Sequence, residues 1–514
     1  MIDAIFIIPN NSEGIYQSLS NKYAAVETPT WALLLAQSCK SNEYKVAIID
    51  TLAENLSDQD TLARIKKLKP RTIVFVVYGQ NVNAGTTNMS GATRLSNFIK
   101  KKIDTRICYI GSHVQALPIE TLKKEKSIDI VFTNEGVYAL KNLLNVSHDY
   151  KEYEKINGIA YRNNLTNEIK INQPEKIVPQ DKMDADLPGY AWDLLPYKEK
   201  PFDLYRAPLW HSEYNSKNRS PYAAIQTSLG CQFGCNFCMI NMINRNDNDE
   251  IGVAGNYSGM RYWSPEFIIK EFEKLFNYGV YTIKITDEMF LLNPKFYKPL
   301  CEKLSENNKE DKLRIWAYSR IDTVKRPEIL SLVRKAGIKW LCLGIESGDK
   351  KVRLEVAKGK FEDVDVRTVV NKIHEADIEV LGNYIFGLPG DNMKTMNKTL
   401  ELSKELCTSG WNGYAAMALP GSQLYKDAIS KNTKLPENYE GYSFHSYNTV
   451  PLPTEELPAH KILEFRDKAF IEYHSNKSFQ KRIKKRFGIE AVNSINEMLK
   501  IKLKRKIIEE NQTN

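Results

Sequence analysis

Residues 223–238 read AAIQTSLGCQFGCNFC. The opening apolar residues predict a strand. The remainder is a loop that carries Cys231, Cys235 and Cys238 at C-x3-C-x2-C spacing. Gly230 and Gly234 permit the tight, positive-φ turns needed to wrap three sulfurs around a common centre. Three readings of such a triplet compete: zinc, an iron–sulfur cluster and plain structural thiols. Structural zinc takes four ligands, commonly as two separated pairs, and the nearest upstream histidine, His211, stands twenty residues away. A 4Fe-4S cluster takes one thiolate per iron, so three cysteines leave one iron open to a substrate or cofactor. The other cysteines, Cys39, Cys108, Cys301, Cys342 and Cys407, lie in apolar or helical stretches and read as buried structural thiols.

Outward from the triplet, residues 221–430 alternate strand and helix. Short apolar runs at 223–227, 282–286, 314–318, 340–344, 381–386 and 414–419 predict six parallel strands. Helices between them, one opening at Ser264-Pro265-Glu266 with Ser as N-cap and Pro at N1, imply a sheet curling toward a barrel. Chemistry in such folds sits at the carboxyl ends of the strands.

Upstream, runs at 2–8, 46–50, 72–78, 107–110 and 128–133 are rich in Val and Ile and lack polar alternation. Strands covered on both faces look this way. Five βα units predict a doubly wound domain over residues 1–148. The 79–90 loop (GQNVNAGTTNMS) is rich in backbone and amide donors, but no GxGxxG follows the first strand, so a dinucleotide fingerprint is missing. Residues 149–220 read as a connector with a small hairpin around Asn163-Asn164 and repeated prolines. The expected domains are thus 1–148, 149–220, 221–430 and a helical 431–514.

The chain has 514 residues, with 72 Lys+Arg and 63 Asp+Glu, a net charge of +9, and 42% apolar residues. Wholesale disorder is excluded. No apolar run approaches the ~20 residues that span a bilayer, and the N-terminus lacks a basic n-region, which sets a cytoplasmic expectation. Residues 477–506 hold 11 Lys/Arg and 2 Glu, a local +9, so the remainder is neutral at 61 against 61. A main body able to grip nucleic acid electrostatically is therefore not expected. The basic segment reads as a solvated helical face.

The triplet, with Phe237 directly before the last cysteine and after the first strand of a βα repeat, resembles the radical S-adenosylmethionine (SAM) superfamily. The resemblance implies that Cys231, Cys235 and Cys238 hold a 4Fe-4S cluster whose open iron chelates S-adenosylmethionine. It also implies roles at the strand ends: Asp287 and Glu288 for the cofactor's ammonium, and Arg320 for its carboxylate. Glu346 and Ser347 would serve ribose or amino contacts. Gly387 and Pro420, in the turns Gly387-Leu388-Pro389-Gly390 and Leu419-Pro420-Gly421-Ser422, would line the adenosine by backbone contact. Helix capping by Asp287 and Glu288, and an internal ion pair at Glu346, are the structural alternatives.

A doubly wound domain before such a barrel resembles the cobalamin-binding subclass. Glu27-Thr28-Pro29, Asp50, the run Tyr109 to His113, and Asn134-Glu135-Gly136 carry that resemblance. The D-x-H-x-x-G motif is absent, so cobalamin would bind without a protein histidine as lower ligand; His113 is a poor substitute. The fold implied is α/β: an N-terminal doubly wound, Rossmann-like domain, a partial (β/α)6 TIM-like radical SAM barrel and a C-terminal helical region. The implied activity is cobalamin-dependent methyl transfer to an unactivated carbon or phosphorus of a small molecule, with flavodoxin or ferredoxin as electron donor. Non-methylating radical chemistry, an RNA- or protein-modifying enzyme and a non-catalytic iron–sulfur protein are the alternatives. Residues 241–256 are polar and read as either a lid or a surface excursion. Trp192, Trp210 and Tyr214 are candidates for the seam between domains.

Overall fold

The computed structural model describes residues 2–79, 82–163, 165–197, 204–206, 221–324, 328–357 and 360–512. Trp210 and Tyr214 lie outside them.

The first sheet has seven strands. β1 (Ile2–Ile8), β2 (Val46–Asp50), β3 (Pro70–Val76), β4 (Arg106–Ile110) and β5 (Ile130–Phe132) are joined by helical crossovers and run parallel in the order β2-β1-β3-β4-β5. Their side chains pack into apolar layers on both faces, which is why the sequence shows continuous apolar runs. The hairpin β6 (Ile159–Arg162) and β7 (Ile169–Ile171) adds antiparallel strands to the β5 edge. The first sheet therefore extends into the segment expected to be a connector.

The second sheet is a six-stranded, all-parallel half-barrel. Its strands are β8 (Tyr222–Ile225), β11 (Thr282–Ile285), β12 (Arg314–Arg320), β13 (Ile338–Glu346), β14 (Glu379–Phe386) and β15 (Gly410–Ala415), hydrogen-bonded in sequence order. Between β8 and β11 lies a two-stranded antiparallel ribbon, β9 (Ser228–Cys231) and β10 (Gly259–Tyr262). The open edge of β8 is met by Thr28 of the N-terminal region. Its Oγ1 donates to Ala224 O (2.9 Å) and accepts from Ala224 N (2.8 Å). At the far end of the lumen Phe487 stacks on Trp340, with ring centroids 5.5 Å apart. Trp316, Cys342 and Leu381 fill the layer with Trp340.

The C-terminal region is helical over Ala459–His474, Lys477–Phe487, Ile489–Leu499 and Lys506–Gln512. The basic segment is only in part a solvated face. Arg482 and Arg486 pair with Glu379 at the start of β14, and Arg505 is buried against Asp467. Lys481, Lys484 and Lys485 face solvent. No helix among the described residues is long and apolar enough to cross a membrane.

Candidate functional site

The chain leaves β8 through Gln226 and Thr227 and enters β9, whose last residue is Cys231, opposite Gly259 of β10. Gly230 has φ +82°, and a Cβ there would lie 2.2 Å from the Gly259 carbonyl oxygen, so only glycine lets the ribbon close this tightly. Gly234 does not adopt a positive φ. The loop is held by hydrogen bonds within itself and to distant backbone. Cys231 N donates to Asn241 Oδ1 (2.7 Å), Asn241 Nδ2 to Phe233 O (3.2 Å), Asn236 N to Val356 O (3.2 Å) and Leu424 N to Asn236 O (2.9 Å).

The three thiols are neighbours. Cys231 feels the charge of Cys238, Cys235 that of Cys231, and Cys238 that of Cys235. Burial pushes Cys231 and Cys235 up to about 12 and Cys238 further upward. Such thiols are inert unless a metal displaces their protons. Among the described residues no three His, Cys, Asp or Glu side chains converge on one point as the ligands of a single ion do. Cluster thiolates need not converge, since each takes its own iron. The donor set of three thiols on one pre-shaped loop fits a 4Fe-4S cluster.

Around the thiols stand three of the expected side chains. Glu288, at the end of β11, acts on Cys231 and Cys238 and has no hydrogen-bond or ion-pair partner among the described residues; burial raises its carboxyl to about 7, against the pull of Lys284. Glu346 ends β13 with φ +63°, rare for a residue with a side chain. Gly344 makes room for it, since a Cβ there would lie 2.5 Å from Glu346 Oε1. Burial raises the Glu346 carboxyl to about 8, with Arg320 opposing and Glu288 adding. Arg320 ends β12 and lies 3.8 Å from the Phe233 ring centroid. Its Nε and Nη2 are occupied by Asp322 (2.6 and 2.5 Å), while Nη1 is buried with no partner among the described residues.

Two other expected contacts serve the scaffold. Asp287 accepts from Thr227 N, Thr227 Oγ1 and Ser228 Oγ, each at 2.6 Å. This carboxylate fixes the turn from β8 into β9 and has little left for an ammonium group. Ser347 is wholly buried, with its Oγ 3.2 Å from Thr399 Oγ1 and accepting from Asp349 N. Phe237 packs beside Cys235 in an apolar patch with Val352, Val356, Ile385, Leu388 and Ala416, at the ends of β14 and β15. Gly387 N donates to Asp391 Oδ2, and Gly421, next to Pro420, accepts from Ala254 N (2.8 Å).

The carboxyl ends of the two sheets face each other across the cysteine loop. From the first domain, Asn83 Oδ1 accepts from Met239 N (3.0 Å) and Glu135 N donates to Ile243 O (3.0 Å). Arg245 donates to Gln115 O, and Gly252 N to Ala116 O (2.8 Å). Glu135, 1% exposed, is paired with Arg261 of β10 at 2.7 Å. Residues 241–245 and 252–254 are pinned between the domains, with Asn241, Asn244 and Arg245 buried and their polar groups bonded, while Asn246, Asn248, Asp249 and Glu250 between them are exposed as a surface excursion. Asn83, Glu135, Arg245 and Arg261 were not among the expected site residues. Trp192 is buried on the helix Pro265–Asn277, donating to Glu271 (3.0 Å). His113 is buried, with Nδ1 3.1 Å from Thr86 Oγ1, and burial lowers it to about 3.

Residues 225–403 match the radical SAM superfamily. The chain is 26% identical over 463 residues to an uncharacterized methyltransferase of Pyrococcus horikoshii, PH0819, covering 89% of this chain and 90% of the relative. Among solved structures it resembles the radical SAM methyltransferase TsrM of Kitasatospora setae with cobalamin and a [4Fe-4S] cluster bound. There the TM-score is 0.59 and the identity 14%, covering 84% and 78% of the two chains. It also resembles the cobalamin-dependent radical enzyme OxsB with aqua-cobalamin and S-adenosylmethionine bound, at a TM-score of 0.65 and 14% identity, covering 97% and 71%. At these identities the structural likenesses establish the architecture of a doubly wound domain ahead of a radical SAM half-barrel.

Proposed function

We propose that this radical SAM enzyme is a cobalamin-dependent methyltransferase acting on an unactivated carbon or phosphorus of a small molecule. The observation that carries the reading is that the strand ends of the first sheet meet the loop bearing Cys231, Cys235 and Cys238. A ligand of either domain would thus share one chamber; the resemblance to TsrM and OxsB supports filling it with a cluster, S-adenosylmethionine and a corrin, and the resemblance to PH0819 supports methyl transfer. Those groups, when bound, supply an electron, an organic radical and a methyl group. Cys231, Cys235 and Cys238 anchor the cluster. Glu288 and Glu346 are the acids available to a cationic ligand, and the Nη1 of Arg320, without a partner among the described residues, is available to a carboxylate. The Phe237 patch receives a flat apolar ring and excludes water. Gly387 and Pro420 are proposed to line the adenosine by backbone contact; Asp287 and Ser347 act on the site by holding its frame.

The first sheet fits a corrin without a lower histidine. His113, behind β4, is sequestered against Thr86 and Tyr439, and the loop after β1 has none. We assign the chain to the cytoplasm and its electrons to flavodoxin or ferredoxin, in keeping with the reducing conditions that open-iron clusters require. The proposed units are 1–148, to whose sheet the hairpin of residues 159–171 is added, the rest of 149–220 as connector, 221–430 and 431–514. The test is to incubate reduced, cobalamin-loaded protein with S-adenosylmethionine and candidate substrates. 5′-Deoxyadenosine and S-adenosylhomocysteine should accumulate together. Deoxyadenosine alone would replace methyl transfer by a non-methylating radical reaction.

A further inference from the structure

The long loop after β3 does more than close the first domain. Asn83 reaches across the seam with both ends of its side-chain amide. Oδ1 accepts from the backbone N of Met239 at 3.0 Å, and Nδ2 points to the Sγ of Cys238 at 3.8 Å. The two groups it touches are consecutive in the chain. One amide thus fixes the exit of the cysteine loop and places an N–H against one of the three sulfurs. We propose that Asn83 is a positioning residue supplied by the first domain, which sets the reduction potential of the cluster by donating a hydrogen bond to the Cys238 thiolate. The proposal rests on the cluster reading above.

The physical basis is general. A thiolate ligand shares the negative charge of its cluster, and one-electron reduction adds to that charge. A donor aimed at sulfur favours the reduced form and raises the potential, as hydrogen bonds to cluster sulfurs do. Asn83 also stands on the strand-end loop where a ligand of the first sheet would lie. The sulfur contact therefore ties the cluster to the first domain.

A plain structural role, in which Asn83 only caps Met239, makes a different forecast. Asn83→Asp keeps the oxygen that accepts from Met239 N and removes the donor to sulfur; Asn83→Ala removes both. Both proteins, reconstituted anaerobically, should carry the wild-type complement of iron and sulfide. Redox titration followed by electron paramagnetic resonance should show a more negative midpoint in each, with the larger shift in N83D, whose carboxylate adds repulsion. Wild-type midpoints in both variants would overturn the proposal while leaving the cluster reading intact. Loss of iron from N83D would also overturn it, by making the residue an anchor. A wild-type chain that takes up no iron and sulfide would overturn the cluster reading itself.

Discussion

Lys284 Nζ lies 2.5 Å from Glu27 Oε1, and both side chains are 6% exposed. The lysine belongs to β11 of the half-barrel and the glutamate to the segment that covers its open edge. Lys284 also sits over the rings of Trp316 and Tyr318, at 4.7 and 5.3 Å from their centroids. The pair is thus a charged rivet between the N-terminal region and the barrel lumen.

Removing one partner of such a pair leaves a buried charge uncompensated. Lys284→Met should destabilise the protein by about 3–5 kcal/mol, and the double change E27Q/K284M by much less. Thermal melts of the single and double variants check this. Equal losses would make the rivet a passenger.

The clamp at Glu135 predicts an effect at a distance. Glu135→Ala leaves the guanidinium of Arg261 buried without its anion and should cost a further few kcal/mol. Because Arg261 also donates to Asn244 Oδ1 (2.8 Å), which holds the ribbon beside Cys231, E135A should bind less iron although no cysteine is changed. Iron and sulfide assays after matched reconstitution measure it.

Each thiol is one of only three anchors. Cys231→Ala, Cys235→Ala and Cys238→Ala should each abolish the ~400 nm iron–sulfur absorbance. The same change at Cys301, which is buried in the helix Pro294–Asn307, should leave it.

Glu346 gives a pH dependence with a definite sign. Burial raises its carboxyl from 4.5 to about 8, so it is largely protonated at neutral pH. Holding a cation requires the ionised form, and ionisation is complete only above the raised value. Affinity for S-adenosylmethionine should rise as pH goes from about 7 to 9, by at most tenfold per unit. The rise should vanish in E346Q. The folded chain holds this proton more tightly than the unfolded one. Its contribution to stability is therefore full below 4.5 and is lost as pH climbs through about 8. Titration calorimetry and pH-dependent melts test both.

The sheets were legible because a strand buried on both faces has to be apolar throughout, and each expected strand overlaps an observed one. The triplet was legible because its spacing and two glycines are local. What escaped was set by long-range partners. The ribbon strand β9 hides inside the cysteine motif, and β10 (GMRY) carries an arginine whose charge is balanced by Glu135, far off in the chain. Polarity made 241–256 look solvated, yet Asn241 and Arg245 are satisfied by backbone that the sequence does not place beside them. Asp287 and Glu288 are adjacent in sequence and diverge in role. One is saturated by Thr227 and Ser228, and the other has no hydrogen-bond or ion-pair partner among the described residues.

The central claim is that three thiolates hold a cluster whose remaining iron takes up S-adenosylmethionine. The direct test is electron–nuclear double resonance on the reduced protein with S-adenosylmethionine carrying nitrogen-15 in its amino group. A hyperfine coupling from that nitrogen to the cluster spin is the predicted result. A cluster signal that shows no such coupling at saturating S-adenosylmethionine would contradict the account.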